Sequence, residues 1–328
     1  MGLMIEGKWD NDAMIPSDAR GHFIREASRF RHWITADGRP GPSGDGHFQA
    51  EPERYHLFVS PSCPWAHRTM IMRKLKNLEK VVSMSVADQP KSEGWAYSRA
   101  IDDLEPCPDG VFRLYQVYAA TDPNYTGKVT VPTLWDRKRR TIVNNESSEI
   151  IRMFNAAFNG WTDVGYDFYP EALRGEIDAV NEFVYDHLNN GVYRAGFAQS
   201  QQAYEEAVRK VFHGLDNLEQ RLSERRYLLG ESITEADWRV FPTLLRFDLV
   251  YYSHFKCNLR SIQDYPNLMN YLRELYQWRG IKQTFDLEKI KAGYYGQHNI
   301  NPTGIVPLGP NLNYLEKGHD RRRLRAAV

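Results

Sequence analysis

The pattern of apolar and polar positions changes character near the middle of the chain. Tyr55-His56-Leu57-Phe58-Val59 is a β-branched and aromatic run that predicts a strand. A turn-forming stretch follows, and then Ile71, Leu75 and Leu78 fall at i, i+4 and i+7, as on one face of a helix. Residues 81–86 predict a second strand. Residues 88–125 form a long connection with no clear period, and connections of that length are uncommon and often functional. Val129-Thr130-Val131-Pro132-Thr133-Leu134-Trp135-Asp136 reads as a strand interrupted by Pro132, which cannot donate to a ladder and so marks an edge or a strand start. Thr141-Ile142-Val143 is a further short strand, and Glu146-Ser147-Ser148-Glu149 opens a helix carrying Ile150, Ile151 and Phe154.

Beyond residue 170 the period is helical. Ile177, Val180, Val184 and Leu188 line one helix, with Asn189-Asn190-Gly191 read as its C-terminal stop. Val208, Val211, Phe212, Leu215, Leu218 and Leu222 line the next. Thr234-Glu235-Ala236-Asp237 has the form of a capping box with Asp in place of Glu or Gln, flanked by Ile233 and Trp238 as a hydrophobic staple. Pro242 is expected to kink this helix. Leu268, Tyr271, Leu272 and Leu275 mark another helix. The expected organisation is an irregular N-terminal arm over residues 1–50, an α/β domain over 51–160, a linker near 159–170 and an all-helical domain with a C-terminal tail over 170–328.

Composition narrows the functional classes. Lys plus Arg equals Asp plus Glu, 42 each, so no global field attracts nucleic acid. The basic run Asp320-Arg321-Arg322-Arg323-Leu324-Arg325 reads as a solvated tail. Three cysteines, Cys63, Cys107 and Cys257, make neither a disulfide framework nor a paired-cysteine metal site, and a reducing cytoplasm is expected. The start, Met1-Gly2-Leu3-Met4-Ile5-Glu6, shows no signal-peptide pattern, and no apolar run approaches membrane-spanning length.

The chemistry concentrates in Ser60-Pro61-Ser62-Cys63-Pro64-Trp65-Ala66-His67-Arg68. Cys63 would sit in a strand-to-helix turn with Pro64 at the first helical position. Free backbone N–H groups and the positive end of the helix dipole then face its sulfur, which favours the reactive thiolate. A dithiol motif would place a second cysteine three positions on, but that position holds Ala66, and Ser60 stands three positions before. A mixed disulfide at Cys63 must therefore be released by a thiol from outside the motif, which points to a small thiol co-substrate.

The order strand, cysteine turn, helix, strand, Val-Pro strand, strand, helix, followed by an all-helical half, resembles a cytosolic glutathione transferase. The implied fold is an α/β thioredoxin-like N-terminal domain plus an all-α C-terminal domain. Cys63-Pro64-Trp65-Ala66-His67-Arg68, Asn145-Glu146-Ser147-Ser148-Glu149-Ile150-Ile151-Arg152, Asn190-Gly191-Val192-Tyr193-Arg194-Ala195-Gly196-Phe197 and Ile300-Asn301-Pro302-Thr303-Gly304-Ile305 together resemble the glutathionyl-hydroquinone reductases, the Xi class, related to omega-type enzymes. The resemblance implies a cis bond before Pro132, and a glutathione cradle of Trp95, Lys128, Val129, Thr130, Val131, Pro132, Glu146 and Ser147. Lys128 stands where some relatives carry arginine, and lysine offers a point charge rather than a fork. It implies Cys63 as nucleophile, Tyr193 as proton donor, and Tyr251 and Tyr294 as hydroxyls that stabilise the sulfur anion. The same resemblance implies glutathione as co-substrate, glutathionylated aromatic substrates and a homodimer; the thiol chemistry it implies requires no metal or bound organic cofactor, and the chain has neither a membrane-spanning run nor a basic stripe, so no membrane or nucleic-acid partner is expected. Alternatives on the same scaffold are a dehydroascorbate reductase or thiol transferase, a conjugating transferase, and a non-catalytic interaction module.

Overall fold

The computed structural model describes residues 3–11, 16–88, 93–298 and 300–324. The chain divides into two compact units, one of Met1–Ile15, Glu26–Tyr166 and Asp286–Gly293, the other of Pro16–Arg25, Asp167–Phe285 and Tyr294–Val328.

The first unit begins with a hairpin of β1 (Leu3–Ile5) and β2 (Lys8–Asp10). Its two-residue turn, Glu6-Gly7, has φ of 47° and 76°, the doubly positive form that matches the twist of paired strands. This hairpin lies inside the stretch expected to be irregular; Glu at the first turn position hides it, because Asn or Asp is the usual signal there. The central sheet follows: β3 (Tyr55–Val59), α1 (Pro64–Leu75), β4 (Val82–Val86), β5 (Ala96–Tyr97), β6 (Phe112–Arg113), α2 (Leu114–Thr121), β7 (Thr133–Asp136), β8 (Thr141–Asn144) and α3 (Ser147–Ala156). Its order is β4-β3-β7-β8, with β5 and β6 forming a separate pair. β3 runs parallel to β4, with Tyr55 opposite Val82, and antiparallel to β7. All five residues of β3 are buried, as an interior strand covered on both faces requires. Helices α1 and α3 pack together, and α2 lies against β8.

Two readings of this unit change. The 88–125 connection is not structureless: β5, β6 and α2 occupy it, and α2 is only two turns long, too short for its period to stand out. The Gln116 side chain accepts the Arg113 N–H at 2.8 Å and so caps it. The Val129–Asp136 run contributes only its second half to the ladder. β7 starts directly after Pro132 and lies between β3 and β8, so the proline marks a strand start rather than an edge. Residues 30–32 run beside β8, where the His32 N–H donates to Val143 O at 3.0 Å and the Asn145 N–H to Phe30 O at 3.1 Å. The arm thereby covers a sheet edge that would otherwise stay open.

The second unit comprises α4 (Arg174–Val184), α5 (Gly191–Gly196), α6 (Gln201–Glu224), α7 (Glu235–Arg246), α8 (Pro266–Tyr276) and the end of α9 (Leu287–Tyr295). The apolar stripe read on α6 is buried along its length. Thr234 and Asp237 form the capping box: the Thr234 N–H donates to Asp237 at 2.8 Å, and the same buried carboxylate accepts the Leu228 N–H at 2.9 Å and the Tyr271 hydroxyl at 2.8 Å. Pro242 lies inside α7, which passes after Arg246 into a wider π-turn, Phe247–Tyr251.

Asn189-Asn190-Gly191 is not a helix stop. α4 widens into a π-turn over Tyr185–Asn189, closed by the Asn190 N–H on Tyr185 O at 2.9 Å, and Gly191 opens α5. A Cβ on Gly191 would lie 3.1 Å from Val211 Cγ2, so glycine serves the approach of α5 to α6 rather than a left-handed cap. Tyr193 therefore stands within a helix. The basic run near the C-terminus is also not a uniformly solvated tail. Arg321 is 0% exposed and donates to the carbonyls of Leu222 at 2.7 Å and Arg226 at 2.8 Å, and to that of Arg225. Carbonyls at and just beyond the end of α6 lack helical partners, and a fork of five N–H donors at the negative helix end answers several at once. Arg322 and Arg323 are exposed, and Arg325 lies outside the described residues.

The Pro16–Arg25 segment is tied to this unit. The Gln199 N–H donates to Gly21 O at 2.9 Å, Ser200 Oγ to Arg20 O at 2.7 Å, and the Phe23 and Phe197 rings meet edge-on at 5.2 Å. His22 bridges Glu206 and Asp18, each at 3.0 Å, and those bonds, Glu206 first, raise its pKa above the ordinary imidazole value.

Arg321→Ala should lower stability by about 3 kcal/mol, seen as a lower urea midpoint at unchanged slope, because several carbonyls lose their donor together. His22 titrates with a raised folded-state pKa. Its contribution is complete below the ordinary imidazole value and is lost as pH rises through the raised one. Amide exchange over residues 18–23, corrected for intrinsic rates, should accelerate from pH 6 to pH 8 in the native chain and lose that dependence in His22→Gln.

Candidate active site

Cys63 follows β3 by one tight turn, in which its N–H donates to Ser60 O at 3.2 Å. It is the N-cap of α1, extended at φ −78° and ψ 117°, with Pro64 at the first helical position. Its Sγ accepts the Ala66 N–H at 3.4 Å and lies 3.2 Å from Val131 O. The backbone N–H of Ala66 thus meets the sulfur at the position where a dithiol motif would supply a second thiol. The residue is half-buried, whereas Ser60 and Ser62 beside it are buried with their hydroxyls 3.1 Å apart. Sequence reasoning missed Gly293 of α9: a Cβ there would lie 2.5 Å from Ser62 Cβ, so only glycine lets α9 close on this turn.

The Val131–Pro132 bond is cis. Val129 and Val131 are buried, and Lys128 and Thr130 half-buried. This loop is held from α2 and its following turn. The Thr130 N–H donates to the Tyr118 hydroxyl at 3.2 Å, Asn145 Nδ2 bonds Tyr118 at 3.2 Å and Thr130 Oγ1 at 3.3 Å, and the Tyr125 hydroxyl donates to Lys128 O at 2.9 Å. The sulfur and the Val131 carbonyl are brought together, as a short extended thiol peptide pairing with this backbone would need. Trp95 stands half-buried just before β5, with its carbonyl accepting the Leu114 N–H at 2.9 Å.

Glu146 caps α3. Its carboxylate accepts the Ser148 N–H at 3.1 Å, the Ser148 hydroxyl at 2.8 Å and, from the arm, the Ser28 hydroxyl at 3.0 Å. Burial pushes its pKa up, but the Ser148 N–H, the two hydroxyls and the charge of Arg68 outweigh that and leave it below the ordinary carboxyl value. Ser147 is buried beside it, with Arg68 Nη1 3.5 Å from Ser147 Oγ and the Arg68 guanidinium 4.7 Å from the Trp65 ring centre. The structure shows the helix-cap role; an ionised carboxylate and a helix start also have the chemistry that suits the ammonium and carboxylate of an amino-acid group. Arg68 and Ser28 received no role from the sequence. An arginine five positions beyond the cysteine of the motif is a signal for the first; the second is a tertiary contact with none.

Within the helical unit three phenols meet. The Tyr193 and Tyr294 hydroxyls are 2.6 Å apart and those of Tyr251 and Tyr294 3.0 Å apart. The neighbours do not join them: Tyr252 is exposed, and the Tyr295 hydroxyl bonds Ser253. Burial, with smaller effects from Tyr193 and Tyr251 and against the opposing charge of Arg246, raises the pKa of Tyr294 well above the usual phenol value. It keeps its proton at neutral pH and has one to give, either to Tyr193 or to Tyr251.

The remaining cysteines differ from Cys63. Burial pushes the Cys257 thiol up to about 12, and Cys107 Sγ is 2.9 Å from the Tyr115 hydroxyl. None of the three is in a disulfide. Among the described residues, no group of three or more His, Cys, Asp or Glu is placed to hold a metal ion.

A cysteine at the helix start of a thioredoxin-like sheet, beside a cis-proline loop and followed by a helical unit, defines a cysteine-type glutathione transferase. The glutathione S-transferase N-terminal domain family matches residues 62–157, and the C-terminal domain family residues 201–274. The chain is 52% identical to the glutathionyl-hydroquinone reductase YqjG of Escherichia coli, over 98% of each chain. It is 47% identical to the glutathionyl-hydroquinone reductase PcpF of Sphingobium chlorophenolicum, over 94% of this chain and 96% of the other. The glutathione-bound structure of YqjG superposes with a TM-score of 0.87 at 48% identity, over 98% of this chain and 99% of that one. A Xi-class transferase from Natrialba magadii superposes with a TM-score of 0.86 at 40% identity, over 99% and 97%. The chain belongs to the glutathionyl-hydroquinone reductases, the Xi class of glutathione transferases.

Brief treatment of the native protein with iodoacetamide, read by peptide mass spectrometry, should modify Cys63 and leave Cys257 unmodified until the chain is unfolded.

Proposed function

We propose that this enzyme reduces glutathionyl-hydroquinones to free hydroquinones, with glutathione as the reductant. The observation that carries this reading is a lone cysteine at the N-cap of α1, with Ala66 in place of a resolving thiol, in a chain 52% identical to a glutathionyl-hydroquinone reductase. Glutathione is held with its cysteinyl part along Val131 and its γ-glutamyl end at Glu146 and Ser147. Val129, Thr130, Pro132, Lys128 and Trp95 complete the cradle.

The ring of the substrate must first become a leaving group. In its keto tautomer, the carbon bearing sulfur departs with its electrons as the enolate of the hydroquinone instead of as an aryl carbanion. Tyr193 supplies the proton to that ring carbon as the tautomer forms, and recovers one from the ring hydroxyl. The Cys63 thiolate then attacks the glutathione sulfur. A sulfur–sulfur bond forms, the carbon–sulfur bond breaks, and the hydroquinone leaves as a phenolate. A second glutathione loses its thiol proton, which neutralises that phenolate, and attacks the mixed disulfide. Oxidised glutathione departs and the Cys63 thiolate returns. Two glutathione sulfurs are oxidised to one disulfide while one carbon–sulfur bond is reduced. Tyr294, hydrogen-bonded to both Tyr193 and Tyr251, stabilises the anions formed in this sequence. A homodimer is the expected assembly, tested by light scattering.

A panel of glutathionylated hydroquinones should yield free hydroquinone and oxidised glutathione in equal amounts, faster than dehydroascorbate or a glutathionylated peptide is turned over; the opposite order would assign a thiol transferase. Cys63→Ser should abolish turnover, by a factor of about a thousand or more, while glutathione still binds by calorimetry. Tyr193→Phe should slow the first half-reaction by about a hundredfold in stopped-flow traces and spare release of the mixed disulfide. Turnover that survives Cys63→Ser would end the proposal.

A further inference from the structure

Arg25 is the last residue of the arm segment that packs with the helical unit. Its guanidinium carbon lies 4.9 Å from the centre of the Tyr193 ring, and its Nε donates to Asn190 Oδ1 at 2.6 Å. Asn190 in turn begins the helix that carries the tyrosine: its carbonyl accepts the Tyr193 N–H at 3.1 Å and the Arg194 N–H at 2.9 Å. One arginine is therefore fixed to the start of α5 and laid over the ring of α5's phenol. The segment behind it is anchored as well, by Phe23 on Phe197, by the backbone of Gly21 on Gln199, and by His22 on Glu206. The Arg25 guanidinium also lies 5.3 Å from the Phe23 ring centre.

The other charged and titratable groups near this ring are placed differently. Arg194, next on α5, pairs with Asp186 at 2.7 Å, and Asp186 also pairs with Lys210 at 2.5 Å. From the π-turn after α7, Tyr251 meets Tyr193 ring to ring at 6.1 Å. Tyr294 of α9 meets its oxygen, and the charge of Arg246 acts on Tyr294. His254 packs against Tyr294 and Tyr295, and burial lowers its pKa to about 4, so it is neutral. Arg25 places a cation over the Tyr193 face.

We propose that Arg25 is a positioning residue for the proton donor: it fixes the Tyr193 ring against α5 and stabilises the phenolate left when the proton is given up. This rests on the reading of Tyr193 as that donor. A phenol that loses its proton spreads negative charge into its ring, and a cation over the ring face answers it in place. At the other end, Tyr294 keeps its proton, and its hydroxyl, 2.6 Å from that of Tyr193, can donate to the Tyr193 oxygen once that oxygen is ionised. Tyr193 then releases its proton between a cation on its face and a donor at its oxygen. The arm thus reaches the chemistry through one side chain, and the acid strength of Tyr193 depends on a residue far from it in sequence.

The test uses the full chain with tyrosine labelled at the ring carbon bearing oxygen, and with Tyr193→Phe to assign the resonance. Arg25→Gln should raise the midpoint for Tyr193 ionisation, weakening the acid by about tenfold, with Arg25→Lys between it and the native chain. In single-turnover traces, the pH dependence of the first half-reaction should move the same way while the second half-reaction stays unchanged. A Tyr193 midpoint identical in the native, Gln and Lys proteins overturns the proposal. If Arg25→Gln does not fold, the Lys variant decides alone: a native midpoint overturns it and an intermediate one supports it. A shifted midpoint together with an undiminished first half-reaction in Tyr193→Phe would instead overturn the donor role and leave the influence of Arg25 standing.

Discussion

The Cys63 sulfur takes the Ala66 N–H that a serine or aspartate oxygen takes at an ordinary helix N-cap, and the rest of the N-terminal unit is arranged to keep it there. A helix start presents several N–H groups without helical acceptors, together with the positive end of the helix dipole. Placing a sulfur at that point requires a strand that ends at a fixed place, a turn that reverses within four residues, and a proline that enters the helix without needing a donor. The buried β3, the Cys63-to-Ser60 turn and Pro64 meet these needs in order. Gly293 then lets α9 close on the same turn, which limits how far the turn can shift.

The proposed glutathione cradle is built largely from backbone, and backbone loops need support. The loop before β7 carries the cis Val131–Pro132 bond, and residues 128–131 are outside the ladder. What holds it is two phenols and an amide, Tyr118 of α2, Tyr125 of the turn after it and Asn145 just before α3. The same logic holds at Glu146. Its ionised state is maintained by donors from its own helix and from the arm, so a residue that reads locally as a cap is also electrostatically prepared for a cation.

The N-terminal arm is more than a wrapping. One part adds a strand-like edge to β8 and sends Ser28 to Glu146; another is sewn to the helical unit and ends at Arg25 over Tyr193. At the opposite end of the chain Arg321 closes the terminus of α6, a buried cation whose guanidinium donates to three carbonyls while the charge of Glu274 also acts on it. Both are cases in which a segment near one end of the chain contributes a single arginine to a place where the helices leave an electrostatic need.

Much was legible from local pattern. The period-2 run of β3, the Cys-Pro turn, the buried stripe of α6 and the Thr234–Asp237 box depend on residues close in sequence, and local chemistry is enough to specify them. The absence of a second thiol three positions from Cys63 on either side was also decided by sequence alone. Tertiary structure decided the rest. α2 and the β1–β2 hairpin were too short, or too unusual in their turn residue, to show a period. Asn189-Asn190-Gly191 looked like a stop because glycine usually serves conformation at a helix end, whereas here it serves a close helix approach. Arg321 looked solvated because a charge run carries no mark of the carbonyls waiting for it 95 or more residues away. Among nineteen tyrosines, resemblance to a family singled out Tyr193, Tyr251 and Tyr294, but only the tertiary structure shows that their hydroxyls meet, because a hydrogen bond between Tyr193 and Tyr294 spans 101 positions and leaves no spacing to read.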